Sequence, residues 1–356
     1  MAGPDPLVLP DPNFDCTPAD CQFLSGIRPY RRDTFRLEQE NLQVQGVGTK
    51  FVVHNYGHGG AGITMSWGCA AQVRDLVLQH AGGAPGQVAV LGAGVMGLTA
   101  AKLLVGAGFA VRMYAASFLY TTSDVAGGQW CPSFVEHQNT PAATQQFENI
   151  LRTAFTMHRD RIGQGYGVSE RINYSKHPRA ETSFNKVPLD VIPEPTVYEH
   201  LPFANLNQKG YGYHTLLVEP PIFLKKLRTE LTGAVQLTQR TFGSAADVVA
   251  LPEPIVVNCT GMGSRDVFGD TKLAPIKGQL VLVKAQPALQ YLYSSDETYV
   301  FPREDHVVVG GSYEYHVWDP LDPYKALAIL QMAKDVFAGH PTIQIPQQDW
   351  MLPEYH

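Results

Sequence analysis

The chain has 356 residues, enough for one large domain or two joined ones and too many for a disulfide-stapled miniature. Basic residues number 27 and acidic residues 33, and a formal charge of −6 argues against a bulk electrostatic surface for nucleic acid or anionic lipid and for a small-molecule partner. With 44% hydrophobic and only 17% charged residues, buried surface is plentiful and disorder on a large scale is excluded.

In chain order, FVVHN (51–55) reads as a strand that runs into a glycine cluster and then a helix over 63–80. After AGGAPG (81–86), the apolar run 88–111 is long enough to suggest a membrane span, but glycines interrupt it and Lys102 sits in its middle. The run is read instead as strand VAVL (88–91), a helix ending near Gly106, and strand AVRMY (110–114), with no membrane contact. A helical pattern returns at 141–160, and 171–200 reads as an irregular β region. Pro220 and Pro221 open a further helix, where a missing N–H is no loss. Strands follow at 234–240, 254–258, 279–284, 298–301 and 306–310, and a last helix at about 322–338. The fold class is α/β with an added, largely antiparallel β portion. Five cysteines (Cys16, Cys21, Cys69, Cys131, Cys259) form a sparse, odd set without a C-x-x-C motif, and no basic-then-apolar leader opens the chain. Both point to a reducing, cytoplasmic home; no residue is assigned to a metal.

Strand VAVL leads into Gly92-Ala93-Gly94-Val95-Met96-Gly97 and a helix, the pattern of a dinucleotide-binding turn. The first glycine permits the turn, the second lets a pyrophosphate approach the backbone, and the third lets helix and strand pack. A tight turn without a ligand is the competing reading. The acidic residue that normally ends the second strand and holds the adenosine ribose is absent, with Ala115, Ala116 and Ser117 in its place. A second strand–glycine–helix unit, His54 to Thr64, carries Gly57, Gly59, Gly60 and Gly62. It reads either as a ligand-binding loop at a helix N-terminus or as a turn in which His54 and His58 are structural.

These blocks resemble the D-amino acid oxidase family of FAD flavoproteins. The resemblance rests on VAVLGAGVMGLTAA, TTSDVAGGQW (121–130), GYGYHTLLVEPPIFLKKL (210–227), VVNCTG (256–261), KGQLVLV (277–283), YVFP (299–302), VVVGGSY (307–313), GIRPYRRDTFRLE (26–38) and HNYGHGGAGIT (54–64). In the family the last two blocks close the chain, whereas here they precede the glycine turn, so the chain reads as a circular permutant joined near 81–86. The resemblance implies a Rossmann-type FAD-binding domain at 37–160 and 214–275, and a mostly antiparallel substrate domain at 1–36, 161–213 and 276–356. Permutation further implies that the two chain ends, 1–24 and 344–356, lie together.

By the same resemblance, Gly92, Gly94, Val95, Met96 and Gly97 receive the FAD pyrophosphate, and Thr121, Thr122, Gly127, Gly128 and Gln129 lie along the flavin. Gly261 approaches the cofactor, and Gly59, Gly62, Ile63 and Thr64 set a helix N-terminus beside the flavin pyrimidine ring. FAD is expected to be noncovalent. Arg36 is expected to fork onto a substrate carboxylate, Tyr299 to donate to it, Tyr313 to face the substrate, and the Gly60 carbonyl to accept from the substrate amine. The competing readings are a surface arginine among Arg28, Arg31, Arg32 and Arg36, and half-buried strand tyrosines. The implied reaction is hydride transfer from the Cα of a D-amino acid to flavin N5, with dioxygen forming hydrogen peroxide and the imino acid hydrolysing to keto acid and ammonia. Oxidation of a glycine-, proline- or specialised-metabolite-like amine, transfer of electrons to another acceptor, and a silent FAD-binding protein are the alternatives. The short stretch YLYSSDETY (291–299) suggests an open pocket, and the last residues, Glu354-Tyr355-His356, are not a peroxisomal tripeptide. A homodimer is left open.

Overall fold

A computed structural model describes residues 8–17, 19–206, 208–295 and 298–342. The first half carries β1 (Gln22–Arg31), β2 (Arg36–Val44), β3 (Gly48–Tyr56), α1 (Gly62–His80), β4 (Gln87–Leu91), α2 (Val95–Gly106), β5 (Ala110–Ala115) and α3 (Pro141–Arg159). Then come β6 (Val168–Ser175), β7 (Thr196–Tyr198), β8 (Gly210–Val218), α4 (Pro220–Leu231), β9 (Val235–Gln239), α5 (Ala245–Val249), β10 (Ile255–Asn258) and α6 (Ser264–Phe268). The chain ends with β11 (Leu273–Lys284), β12 (Leu292–Ser294), β13 (Tyr299–Pro302), β14 (His306–Gly310), β15 (Glu314–Tyr315) and α7 (Pro323–Phe337).

One sheet runs β2-β3-β10-β4-β5-β9, parallel except for the edge strand β2. Its inner strands β3, β10 and β4 are buried on both faces, which explains the apolar runs 51–53, 255–257 and 88–91, whereas β2 and β9 are exposed edges. Val53, Val88, Val90 and Val257 pack toward α1 and α2, while Val52, Ala89, Leu91 and Val256 pack toward Val248 and Val267 of α5 and α6. From β4 the chain steps outward through α2 to β5 and later β9, then returns with β10 to the other side of β4. That reversal opens a crevice at the carboxyl ends of β4 and β10.

The second sheet runs β1-β11-β14-β13-β12-β6-β8-β7, with β15 on β11, and is antiparallel except where β12 meets β6. Helix α7 covers one face, where Ile329, Leu330 and Ala333 meet Val281, Val283, Val307 and Val309. Residues 8–17 add to that layer: the Phe14 ring lies 5.7 Å from Phe337, and the Tyr291 hydroxyl donates to the Pro10 carbonyl at 2.8 Å.

The apolar run at 88–111 is the β4–α2–β5 unit, and Lys102 leaves it to pair with Glu230 at 3.0 Å. Among the described residues no helix is long and apolar enough to cross a membrane. Cys16 and Cys21 form a disulfide, a pairing the sequence did not announce, while Cys69, Cys131 and Cys259 are free and buried. The expected boundary at 214 falls inside β8, a strand wholly within the antiparallel sheet. Strands β1 and β2 escape a reading by pattern for different reasons. In β1, Pro29 interrupts the alternation and lies opposite Pro275, and β2 is a charged edge strand that faces water. The expected meeting of the chain ends involves residues 1–7 and 343–356, which lie outside the described residues.

Candidate functional site

The crevice widens into a cavity of about 1320 Å³ between the two sheets. That exceeds the roughly 300–1,000 Å³ that encloses one small ligand, leaving room for an extended molecule and a small one beside it. Two helices open onto it. The N-cap of α2 is Gly94 and that of α1 is Ala61; neither residue caps its helix with a side chain and neither first turn is acidic, the Val95 N–H alone being taken by Ser123 Oγ at 3.0 Å, and Gly92 to Met96, Gly59, Gly60, Gly62 and Ile63 line the wall. Two sets of spare backbone N–H groups therefore face one space, a setting for negative charge.

The glycines of the first turn divide their work. Gly92 is left-handed at φ 104°, and a Cβ there would collide with the Cys259 carbonyl. At Gly97 a Cβ would strike the Gly92 carbonyl, so this residue keeps α2 against β4 and does not reach the cavity. Gly94 has ordinary φ, and a Cβ on it would stand 3.2 Å from Ser123 Oγ at the cavity edge. In the second turn Gly59, at φ 53°, packs against the Phe134 carbonyl. Thr64 also lies outside the lining; its hydroxyl donates to the Cys131 carbonyl at 2.9 Å and accepts from the Cys131 N–H at 3.1 Å, tying the two walls together.

Thr121, Thr122, Gly127, Gly128 and Gln129 line the next wall, and Gly261 the floor. The Thr121 segment is clamped from behind: Asp124 accepts from the Thr121 N–H and hydroxyl at 2.7 and 2.8 Å, and Arg228 forks onto its carboxylate with both bonds at 2.9 Å. Burial opposes the Asp124 charge, but Arg228 and Thr121 together hold its carboxyl below the usual carboxylate range. At Gly127 any Cβ would press on the Phe301 and Tyr299 rings, which stack at 4.5 Å.

The floor turn is fixed through His54. The Asn258 Oδ1 accepts from the Thr260 N–H at 3.1 Å, which orients the amide, so its Nδ2 donates to His54 Nδ1 at 3.1 Å. The imidazole must carry its proton on Nε2, 3.0 Å from Glu40. Burial, with the nearby Arg36 charge, pushes His54 down to about 4, so it stays neutral. His58 lines the cavity but is fully buried, stacks on Phe35 at 5.2 Å and meets Cys69 Sγ at 3.4 Å; burial pushes it down to about 3.

Arg36 is not in the cavity wall. Its Nε bonds Glu38 at 2.6 Å, Nη2 bonds Glu40 at 2.9 Å and Nη1 donates to the Tyr56 hydroxyl at 3.1 Å, so its fork is already spent on partners within the parallel sheet. At the end bounded by Tyr299 and Tyr313 the arginine that lines the cavity is Arg28. Its guanidinium lies beneath Gly278, where a Cβ would collide with it, 5.1 Å over the Phe134 ring, and donates to the Ser312 carbonyl at 3.4 Å. Tyr299, half-buried, fills the space left by Gly310; burial pushes its hydroxyl up, and the Arg28 charge beside it draws it back. Tyr313 and Gly60 line the same end, with the Tyr313 ring 5.4 Å from Phe134. Beyond them the mouth is polar, with Ser175, His177, Glu181, Thr182, Ser294 and Ser295, a set with no local motif to mark it.

The sequence model of the FAD dependent oxidoreductase family, DAO, matches residues 87–351. The chain belongs to this family. It is 29% identical to a D-amino-acid oxidase of Streptomyces coelicolor over 69% of this chain and 76% of that one, and 30% identical to a D-amino-acid oxidase of Rubrobacter xylanophilus over 68% and 74%. A human D-aspartate oxidase is 29% identical over 65% and 70%. Among solved structures, a glycine oxidase from Bacillus cereus shares the fold with a TM-score of 0.51 at 15% identity, over 70% of this chain and 79% of that one. The flavoenzyme's cavity fits FAD on its own evidence: two helix N-termini with spare N–H groups and no acidic residue in their first turns, for the diphosphate and the flavin's electron-rich edge, and glycine turns packed so closely on neighbouring backbone that the main chain itself forms the wall. When bound, FAD supplies a two-electron acceptor, and the protein supplies orientation and charge around it.

Proposed function

We propose that this flavoenzyme oxidises the amine-bearing Cα of a D-amino acid, passing its electrons to dioxygen as hydrogen peroxide. The observation that carries the reading is the pairing of Arg28 with Tyr299 in one cavity with the flavin-side glycines. A guanidinium fork and a phenolic hydroxyl suit a free carboxylate, and the fork gives it a fixed plane that an ammonium would not. Tyr313 and Phe134 bound the space beside that clamp, and the Gly60 carbonyl is a ready acceptor for the substrate amine. His58, the histidine in the glycine turn, is held neutral and in contact with Cys69, and the reading assigns the reaction to orientation of the Cα–H bond rather than to a base. The D configuration and the amino acid class draw support from the named relatives. Anaerobic addition of D- and L-amino acids to the FAD-loaded protein tests the reading. Flavin absorbance should bleach with a D-amino acid and stay unchanged with its mirror image and with decarboxylated analogues; bleaching by amines without a carboxylate would refute it.

A further inference from the structure

The far end of the cavity lies where β5 and β9 finish side by side. Ala115 pairs with Gln239, the Arg240 N–H donates to the Ala115 carbonyl at 2.9 Å, and the Gln239 amide donates to the Ala116 carbonyl at 3.0 Å. Ala115, Ala116, Ser117, Arg240, Thr241 and Phe242 line this end, and none is acidic. In a dinucleotide turn this is where the adenosine ribose comes to rest, normally against a carboxylate that accepts from its two hydroxyls. Here Ala115, Ala116 and Ser117 hold that place, and the charged side chain lining this end is Arg240, just past the end of the neighbouring strand β9. The guanidinium lies 4.8 Å over the Phe242 ring, and its ion pair with Asp247 is stretched to 3.9 Å. Asp247 is committed elsewhere, accepting from the Gly243 and Ser244 N–H groups at 2.9 and 3.1 Å. Arg240 therefore keeps donors available on a side chain already braced by an aromatic face and by its own backbone bond.

We infer that Arg240 binds the adenosine ribose of FAD in place of the missing carboxylate, and that this end of the site attracts negative charge on the ribose where a carboxylate would repel it. A carboxylate accepts from the ribose hydroxyls and excludes a 2′-phosphate; a guanidinium donates to the hydroxyl oxygens and forks onto a phosphate. The ligand class is an adenosine nucleotide, including one phosphorylated at the 2′ position. The inference rests on FAD being the cofactor but not on the substrate, so binding alone tests it.

FAD-stripped protein is titrated with FAD and followed by quenching of flavin fluorescence. Arg240→Met should weaken FAD binding by about tenfold or more, the scale of one charge-assisted hydrogen bond, without changing the Tm of the stripped protein. In a second measurement that needs only the unaltered chain, adenosine 2′,5′-bisphosphate should compete with FAD at lower concentration than AMP. FAD affinity within twofold of the unaltered protein, or equal or weaker competition by the bisphosphate, each overturns the inference.

Discussion

Arg28 and Arg36 belong to one arginine-rich stretch, and their partners alone separate their roles. Arg28→Leu should lower kcat/KM for carboxylated substrates about a hundredfold to several-thousandfold, as for breaking a buried ion pair worth about 3 to 5 kcal/mol, with the flavin spectrum retained. Arg36→Leu should instead leave KM unchanged and cost about 1 kcal/mol of stability, because it removes the bonds to Glu38, Glu40 and the Tyr56 hydroxyl. Steady-state kinetics and urea unfolding of both variants distinguish the roles, and the reverse result would return the clamp to Arg36. A sign of this was present in the sequence: in a strand, Arg36, Glu38 and Glu40 fall on one face, where opposite charges satisfy each other. It is hidden until 36–44 is known to be a strand. Neutral buried histidines give a further expectation. Burial pushes His58 and His158 down to about 3 and His54 to about 4, so below the ordinary value near 6.5 the unfolded chain binds protons that the folded one refuses. Stability should therefore rise with pH between about 4 and 6.5, by up to about 1.4 kcal/mol per pH unit for each histidine. Urea titrations across that window should show a shallower slope for His158→Gln, and an unchanged slope would contradict the assignment.

At the scale of elements, the strand–turn–helix units were legible because glycine spacing and apolar runs are local, and both turns lie where the sequence placed them. Their internal division of labour was not legible, since it depends on what each missing Cβ would meet. Gly97→Val should destabilise the fold, because the collision is with the backbone of Gly92, and overpacking of this kind costs about 1–3 kcal/mol. Gly94→Val should weaken FAD binding while leaving the Tm of FAD-free protein near its original value, since the Cβ meets side-chain atoms of Ser123 and Thr121 beside the cavity and no backbone. Fluorescence titration and thermal unfolding of the two variants separate these effects; equal loss of stability in both would mean that the whole turn is structural. The substrate mouth was illegible for a different reason. Ser175, His177, Ser294 and Ser295 come from β6, the loop after it, and β12 and its flank, and only sheet pairing joins them.

For the whole molecule, β1 pairs with β11 in one sheet and β3 with β10 in the other, so residues 22–56 are built into both layers although they precede the dinucleotide turn. The family match begins at residue 87, directly after the linker 81–86. That linker only connects the end of α1 to β4: Gly82, Gly83 and Gly86 are exposed, with no neighbouring atoms where a Cβ would be. Read as the join of a permuted chain, it should tolerate lengthening. Ten Gly/Ser residues inserted between Gly83 and Ala84 should cost about 1 kcal/mol of loop entropy, shift Tm by no more than about 4 °C, and leave FAD affinity intact. The same insertion between Gly59 and Gly60 should abolish FAD binding, because that turn aims the N-terminus of α1 into the cavity. If the linker insertion also abolished FAD binding, 81–86 would be part of the cofactor cradle, and the chain order would not be the result of joining two ends that the fold had already brought together.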